Sequence, residues 1–164
     1  LHAAGPAWVA TQFNHPLELS DTAAAACRRL AEHGIPVVNQ TVLLRGVNDG
    51  ADTLEALFRG LTRLGVKPYY LFYGDPVRGT THFRTGLERA LEIVAGLERR
   101  LSGLCMPAFA VDMPGGAGKI RLTAASRVER LTENTVSIPL ANGTRLHYPD
   151  RRPLEERFDT PVFD

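Results

Sequence analysis

The sequence is poor in cysteine, with only Cys27 and Cys105 among 164 residues, and it lacks any CxxC spacing. These two residues exclude a disulfide framework and a cysteine-rich metal site, so we expect no protein-bound metal within this chain. No apolar run approaches the roughly 18 residues that a membrane-spanning helix requires. The first residues also lack the basic and then apolar pattern of a secretory signal. These absences predict a cytoplasmic protein with no membrane partner.

The sequence also lacks a strong excess of charge of one sign, because its net charge is +1 at pH 7. A near-neutral chain has no dominant electrostatic attraction to nucleic acid, so nucleic acid is not an expected partner. Hydrophobic residues make up 44% of the chain and charged residues 23%, which is typical of globular proteins. A chain of this length buries roughly two-thirds of its unfolded surface and needs no covalent staples to form a compact domain.

Strand-like and helix-like segments alternate along the first 119 residues. Short apolar runs at residues 7–13, 35–44, 68–73 and 106–111 are typical of strands. Apolar residues at helical spacing follow the first three runs, at Ala23, Ala26, Cys27, Leu30 and Ala31, at Leu54, Leu57, Phe58, Leu61 and Leu64, and at Leu87, Leu91, Val94, Leu97 and Leu101. The alternation predicts an α/β fold with parallel strands, either an open doubly wound sheet or part of a (β/α) barrel.

The pattern changes after about residue 120. Three short strand-like segments at residues 128–132, 135–140 and 144–148 are separated by turn residues, which predicts a small antiparallel β meander. We therefore divide the chain into βα units at residues 1–119, a β extension at residues 120–148, and a loosely ordered tail at residues 149–164.

Polar residues lie where the predicted strands end, and that edge of a parallel sheet is where ligands bind. Asp75 and Asp112 follow neighbouring strands, so both carboxylates can face one opening. Each aspartate alone is better explained as a turn former or helix cap than as a ligand-binding residue. The pair favours a cationic ligand such as a substrate ammonium group, because two close anions require a positive partner. Arg45 and Arg84 also follow predicted strands, but surface ion pairs explain these two arginines as well as a binding site does.

The segment PGGAGK at residues 114–119 does not fit the phosphate-binding P-loop, which requires a further glycine upstream and a serine or threonine after the lysine. The alternative to a binding site is a flexible turn with a solvated lysine. A lysine on closely approaching glycine backbone suits a Schiff base with an aldehyde cofactor whose phosphate accepts backbone N–H bonds. Lys119 is the candidate residue for that bond.

Several ungapped motifs occur in one order along the chain: FNHP at residues 13–16, NQTVLLRGVND at 39–49, KPYYLFYGD at 67–75, HFRT at 82–85 and VDMPGGAGK at 111–119. In these motifs the chain resembles the carboxyl-terminal portion of the lysine 2,3-aminomutase family, radical-SAM enzymes that also use pyridoxal phosphate. The resemblance implies the carboxyl-terminal half of a radical-SAM-type partial (β/α) barrel. It also implies an isomerase that interconverts L-lysine and β-lysine by a 1,2-amino shift, and it leaves a homo-oligomer open.

The resemblance assigns roles to individual residues. Lys119 would hold pyridoxal phosphate through a Schiff base, with Gly115, Gly116 and Gly118 forming the cofactor loop. Asp75 and Asp112 would bind the ε-ammonium group of L-lysine, which favours lysine over glutamate. Gln40 would lie near S-adenosylmethionine.

The chain also departs from the family pattern. The CxxxCxxC motif that holds the [4Fe–4S] cluster is absent, so we expect the chain alone to be inactive. Gln12 replaces the usual histidine before FNHP, and Gly50 with a cysteine-free tail makes the zinc site of some members unexpected. Two alternatives stay open: a non-catalytic half-barrel fragment or pyridoxal-phosphate-binding module, and a related mutase that isomerises free lysine for attachment to elongation factor P.

Overall fold

A computed structural model describes residue 5 and residues 7–114, 118–140 and 142–150. The helices and strands in this part are β1 (Val9–Thr11), α1 (Asp21–Glu32), β2 (Val37–Leu43), α2 (Ala51–Arg63), β3 (Val66–Tyr73), α3 (Leu87–Glu98), β4 (Ala108–Asp112), β5 (Lys119–Leu122), β6 (Glu129–Thr132), β7 (Thr135–Pro139) and β8 (Arg145–Pro149). Short 3₁₀ turns at Pro16–Glu18 and Thr81–Phe83 follow β1 and β3. None of the helices in this described part is long and apolar enough to cross a bilayer.

The strands form two sheets. The first has the order β1-β2-β3-β4-β5, with the first four strands parallel and β5 antiparallel to β4. The second sheet is the antiparallel β6-β7-β8 meander. The predicted α/β class, the parallel strands and the small antiparallel extension are therefore confirmed.

Strand β5 was not among the predicted strands. The backbone N–H of Met113 donates to the carbonyl of Gly118 at 2.9 Å, and Gly118 has a φ of +87°, so the chain reverses within the glycine-rich segment. Lys119 therefore begins a strand rather than ending a loop. The alternation of polar and apolar residues in KIRL was the sequence signal for this strand.

One face of the first sheet is covered by the helices. Leu57 and Phe58 of α2 are fully buried and belong to the same core as Leu71 of β3 and Phe109 of β4. The helical stripe read from the sequence therefore packs on the sheet as expected. Cys27 of α1 also lies in this core, and burial raises the pKa of its thiol.

The opposite face of the sheet is only partly covered. Residues alternate along each strand, and Gln40, Val42, Tyr70 and Phe72 are half-buried where their neighbours facing the helices are buried. In the register, Gln40 pairs with Tyr70, and Val42 pairs with Phe72. This face, which we call the open face, leads at its carboxyl edge to the predicted site residues.

Asparagines fix the loops at that edge. Asn48, which is 1% exposed, donates from Nδ2 to the carbonyls of Asn14 and Val42 at 2.7 and 2.8 Å. Its Oδ1 accepts the N–H of Leu44 at 2.7 Å, and the Oδ1 of Asn14 accepts the N–H of Val42 at 2.8 Å. The FNHP and GVND motifs are therefore joined to β2 by side-chain bonds to backbone, which satisfy buried polar groups that no strand pairs.

The two sheets are joined by a buried carboxylate. Asp150 is fully buried and lies directly after β8, where it pairs with Arg130 at 2.7 Å and accepts the N–H of Leu87 at 3.2 Å. The hydroxyl of Tyr73 donates to the same carboxylate. Residues 149 and 150 were predicted to belong to a loosely ordered tail, whereas Pro149 ends β8 and Asp150 is buried. The remainder of that tail, residues 151–164, lies outside the described residues.

Candidate active site

Three predicted site residues meet at the carboxyl edge of the first sheet. Asp112 is the last residue of β4, Lys119 is the first residue of β5, and the two are register partners. The Lys119 Nζ lies 3.0 Å from Asp112 Oδ1. Asp75 lies two residues after the end of β3, which is the strand that pairs with β4. The parallel pairing of β3 and β4 is what brings both carboxylates to one edge, as the sequence predicted.

Lys119 presents its amine on the open face. The side chain is 46% exposed, and its Nζ lies 5.3 Å from the centroid of the Phe72 ring. Phe72 stacks on Tyr70 with 5.0 Å between ring centroids, and the Tyr70 hydroxyl accepts a hydrogen bond from Arg121 at 3.1 Å. An accessible primary amine therefore stands beside aromatic surface, with one ion-pair partner.

Asp75 is in an electrostatically unfavourable place for a carboxylate. Partial burial raises its pKa, and the negative charge of Asp112 raises it further. The positive charges of Lys119 and Arg84 oppose both effects. An additional cation would stabilise the ionised form of Asp75, as expected for a site that binds an ammonium group.

We expect Asp75→Asn to stabilise the fold near pH 7, by less than about 1 kcal/mol because the carboxylate is exposed and screened. Folding raises the pKa of Asp75, so the folded state binds the proton more tightly than the unfolded chain does. Stability therefore falls as pH rises from about 4 through the folded-state pKa, and asparagine removes this loss. Urea unfolding of the unmodified chain and of Asp75→Asn, at about pH 4 and about pH 7, measures the difference in their free energies of unfolding. An equal difference at both pH values would contradict the assignment.

A cavity of about 160 Å³ adjoins Asp75. Its lining includes Val42, Leu44, Gly74, Asp75, Phe83 and Arg84. The cavity is mostly apolar with a charged end, which suits an aliphatic chain that ends in a polar group.

Of the other predicted cofactor residues, the structure describes Gln40 and Gly118. Gln40 lies on the open face beside Tyr70, on the same face as Lys119 but with no contact to it among the described residues. Gly118 precedes Lys119 and shapes the turn through its positive φ. Gly115 and Gly116 lie outside the described residues. Within the described ranges, no group of three histidine, cysteine, aspartate or glutamate side chains could hold a metal ion.

Three residues near the site were missed or misread from the sequence. Arg84, which the sequence explains as well by a surface ion pair as by a site residue, is 7% exposed and lines the cavity. Tyr148 is fully buried beside Arg84, and burial together with the nearby carboxylates raises its pKa to about 12 against the opposing charge of Arg84. Asp150 holds Arg84 from the other side. All three depend on contacts between distant segments, which a pattern along the chain does not reveal.

No family model matches the chain. Among curated proteins, a protein of Aquifex aeolicus named as a candidate L-lysine 2,3-aminomutase is 53% identical over 117 residues, which is 71% of this chain and 32% of that protein. The L-lysine 2,3-aminomutase of Clostridium subterminale is 46% identical over 114 residues, covering 70% of this chain and 27% of the enzyme. The glutamate 2,3-aminomutase of Clostridioides difficile is 38% identical over 128 residues, covering 78% and 30%.

These relatives define the class as amino acid 2,3-aminomutases, and the chain spans about a third or less of their length. Within that class the predicted resemblance to the lysine 2,3-aminomutase family is confirmed, since relatives with that name match about 70% of the chain at 41–53% identity.

Proposed function

We propose that the chain is the carboxyl-terminal part of a radical-SAM aminomutase that interconverts L-lysine and β-lysine with pyridoxal phosphate. The observation that carries the proposal is the meeting of Asp75, Asp112 and Lys119 at one edge of the sheet, where the parallel strands β3 and β4 end and the antiparallel strand β5 begins. One amine and two carboxylates at this position provide a covalent anchor for an aldehyde cofactor and a pocket for a cation.

The arrangement of the first sheet supports a partial barrel. Strands β1 to β4 are neighbours in chain order, and their buried core residues share one face with the helices. A doubly wound sheet would carry helices on both faces, whereas a (β/α) barrel carries them on the outside only. The open face would then line the barrel interior, where substrate and cofactor bind.

Lys119 fits pyridoxal phosphate because its amine is accessible and the flat Phe72 ring lies beside it. When bound, the cofactor supplies a conjugated ring that stabilises an unpaired electron during nitrogen migration. Asp75 and Asp112 of this chain would bind and orient the substrate. S-adenosylmethionine, with Gln40 as its contact, and the [4Fe–4S] cluster would require a further part of the protein, because this sequence has no CxxxCxxC motif.

Asp75 and Asp112 favour lysine as the substrate. The ε-ammonium group of lysine would offset the partial burial and the negative charge of Asp112, which together raise the pKa of Asp75. A glutamate side chain would instead add a third negative charge to the same edge of the sheet. The glutamate 2,3-aminomutase relative shows that both substrate types occur among proteins similar to this chain.

The experiment measures β-lysine formation by the complete protein that carries this segment, with Asp75→Asn and Asp112→Asn as variants. We expect KM for lysine to rise roughly tenfold or more in each variant, because a charge-assisted contact to the ammonium is weakened. Glu129→Gln is the control, since this half-exposed residue pairs with Arg145 in the second sheet. Unchanged KM values, or conversion of glutamate in preference to lysine, would refute the substrate assignment.

A non-catalytic module that binds pyridoxal phosphate is the second candidate, favoured by the absence of the cluster motif from this sequence. The two candidates differ in turnover but not in cofactor attachment. If the complete protein binds the cofactor at Lys119 and isomerises no amino acid under reducing conditions with S-adenosylmethionine, the module is the better description.

A further inference from the structure

Arg84 is almost completely buried although it carries a permanent charge. It follows the 3₁₀ turn Thr81–Phe83 between β3 and α3, and it is only 7% exposed. A charged group at such a position requires partners, because unpaired burial of a charge is strongly unfavourable. Specific partners must therefore compensate the buried charge of Arg84.

The partners of Arg84 come from β3 in the first sheet, from β8 in the second sheet and from the residue that follows β8. Its Nη2 donates to the carbonyl of Pro149 at 2.9 Å and lies 3.6 Å from the Asp150 carboxylate. The guanidinium carbon lies 5.0 Å from the centroid of the Tyr73 ring and 5.6 Å from that of Tyr148. A planar cation is thus held by two aromatic rings and a buried anion, an arrangement that lysine cannot reproduce.

The same side chain also reaches the candidate active site. A Cβ placed on Gly74, the residue before Asp75, would lie 3.8 Å from Arg84 Cγ, so the aliphatic stem packs beside the backbone there. Arg84 and Asp75 line the same cavity. The charge of Arg84 also lowers the pKa of Asp75 against the effect of burial. Arg84 therefore connects the Asp150 anchor to the end of β3.

We propose that Arg84 is a positioning residue of the candidate active site, which Asp150 and two tyrosine rings hold in place so that it fixes the Asp75 carboxylate for an ammonium ligand. Arg84 acts through Asp75 and does not bind the ligand itself. The identity of the ligand as lysine rests on the proposed function, whereas the coupling between Arg84 and Asp75 does not.

The electrostatic coupling can be measured without any turnover. The charged and titratable groups near Asp75 are Asp112 from β4, Lys119 from β5, Tyr148 from β8, and Arg84. Carboxyl ¹³C NMR of the chain follows the Asp75 titration, and Asp75→Asn identifies its signal. We expect Arg84→Met to raise the pKa of Asp75 by about one unit, the lower end of the effect of a nearby opposite charge.

The matched control is Arg130→Met. Arg130 also pairs with the Asp150 carboxylate, at 2.7 Å, but it is not among the groups that shift the pKa of Asp75. A general loosening of the Asp150 cluster would affect both variants equally. No shift in Arg84→Met, or the same shift in Arg130→Met, would overturn the proposal.

Arg84→Lys keeps a positive charge near Asp150 and is the second variant, informative even where the methionine variant does not fold. We expect it to leave the pKa of Asp75 within a few tenths of a unit while raising KM for lysine about threefold to tenfold in the complete protein, with kcat changed less than about twofold. An unchanged KM would contradict the positioning role. Absence of any lysine turnover in the unmodified protein would instead refute the proposed function and leave the titration result intact.

Discussion

Replacing Lys119 with alanine is expected to abolish attachment of pyridoxal phosphate and, in the complete protein, to reduce turnover by several orders of magnitude. The reason is that the variant removes the amine that would form the covalent bond, and a nucleophile that acts covalently has no substitute. The absorbance of the protein with pyridoxal phosphate, before and after borohydride reduction, measures attachment. Peptide mass mapping then locates the reduced adduct.

The sequence makes this test decisive, because Lys67 and Lys119 are its only lysines. The Nζ of Lys67 is committed to the carbonyls of Gly103, Leu104 and Met106 at 3.0, 2.6 and 3.1 Å. Lys67→Arg is therefore the control, and we expect it to retain the adduct. An adduct that persists in Lys119→Ala, or that maps to Lys67 in the unmodified chain, would refute the assignment.

Local chemistry explains why part of the site could be predicted from the sequence. Asp75 and Asp112 follow apolar runs directly, so their position at one sheet edge requires only that the two strands be parallel neighbours. The helical stripe of α2 is likewise a short-range pattern, and its leucines are buried as expected. Where a residue's role depends on its own strand end or helix face, periodicity is sufficient.

The remainder of the site depends on contacts across long stretches of chain. From the sequence, Arg84 fits a surface ion pair as well as a strand-end site, and only the approach of residues 149 and 150, some 65 positions further on, explains its burial. Strand β5 was missed for a related reason, because its pairing partner β4 lies across a glycine-rich reversal. The alternation of polar and apolar residues in KIRL favours a strand, but neither propensity nor spacing shows that this strand pairs with β4 or that Arg84 is buried, since both arise from tertiary packing.

The open face and the Asp150 cluster together indicate how the chain divides its structural and functional roles. The helix-covered face supplies a dry apolar core, whereas the open face carries Lys119, Asp112 and the aromatic pair of Tyr70 and Phe72. The candidate site is therefore built on the less protected side of a sheet that is rigid on the other side. Rigid support of this kind is what a site requires when its geometry must be held closely.

Asp150→Asn is expected to destabilise the fold by about 3–5 kcal/mol, which is the typical effect of removing one partner from a buried ion pair. Asparagine preserves the size of the side chain, but its single amide oxygen can accept either the hydroxyl of Tyr73 or the N–H of Leu87 and not both. It cannot balance the positive charges of Arg84 and Arg130, both of which remain largely buried. The loss is therefore electrostatic and not a consequence of a cavity.

Urea unfolding of this chain measures the effect, with Glu92→Gln as the control. Glu92 pairs with Arg89 on the exposed surface of α3, and its removal should change stability by less than about 1 kcal/mol. A double-mutant cycle with Arg130→Met isolates the pair, and we expect a coupling of at least about 1 kcal/mol between the two buried groups. If Asp150→Asn behaves like Glu92→Gln, the carboxylate does not join the two sheets, and the anchor proposed for Arg84 is lost with it.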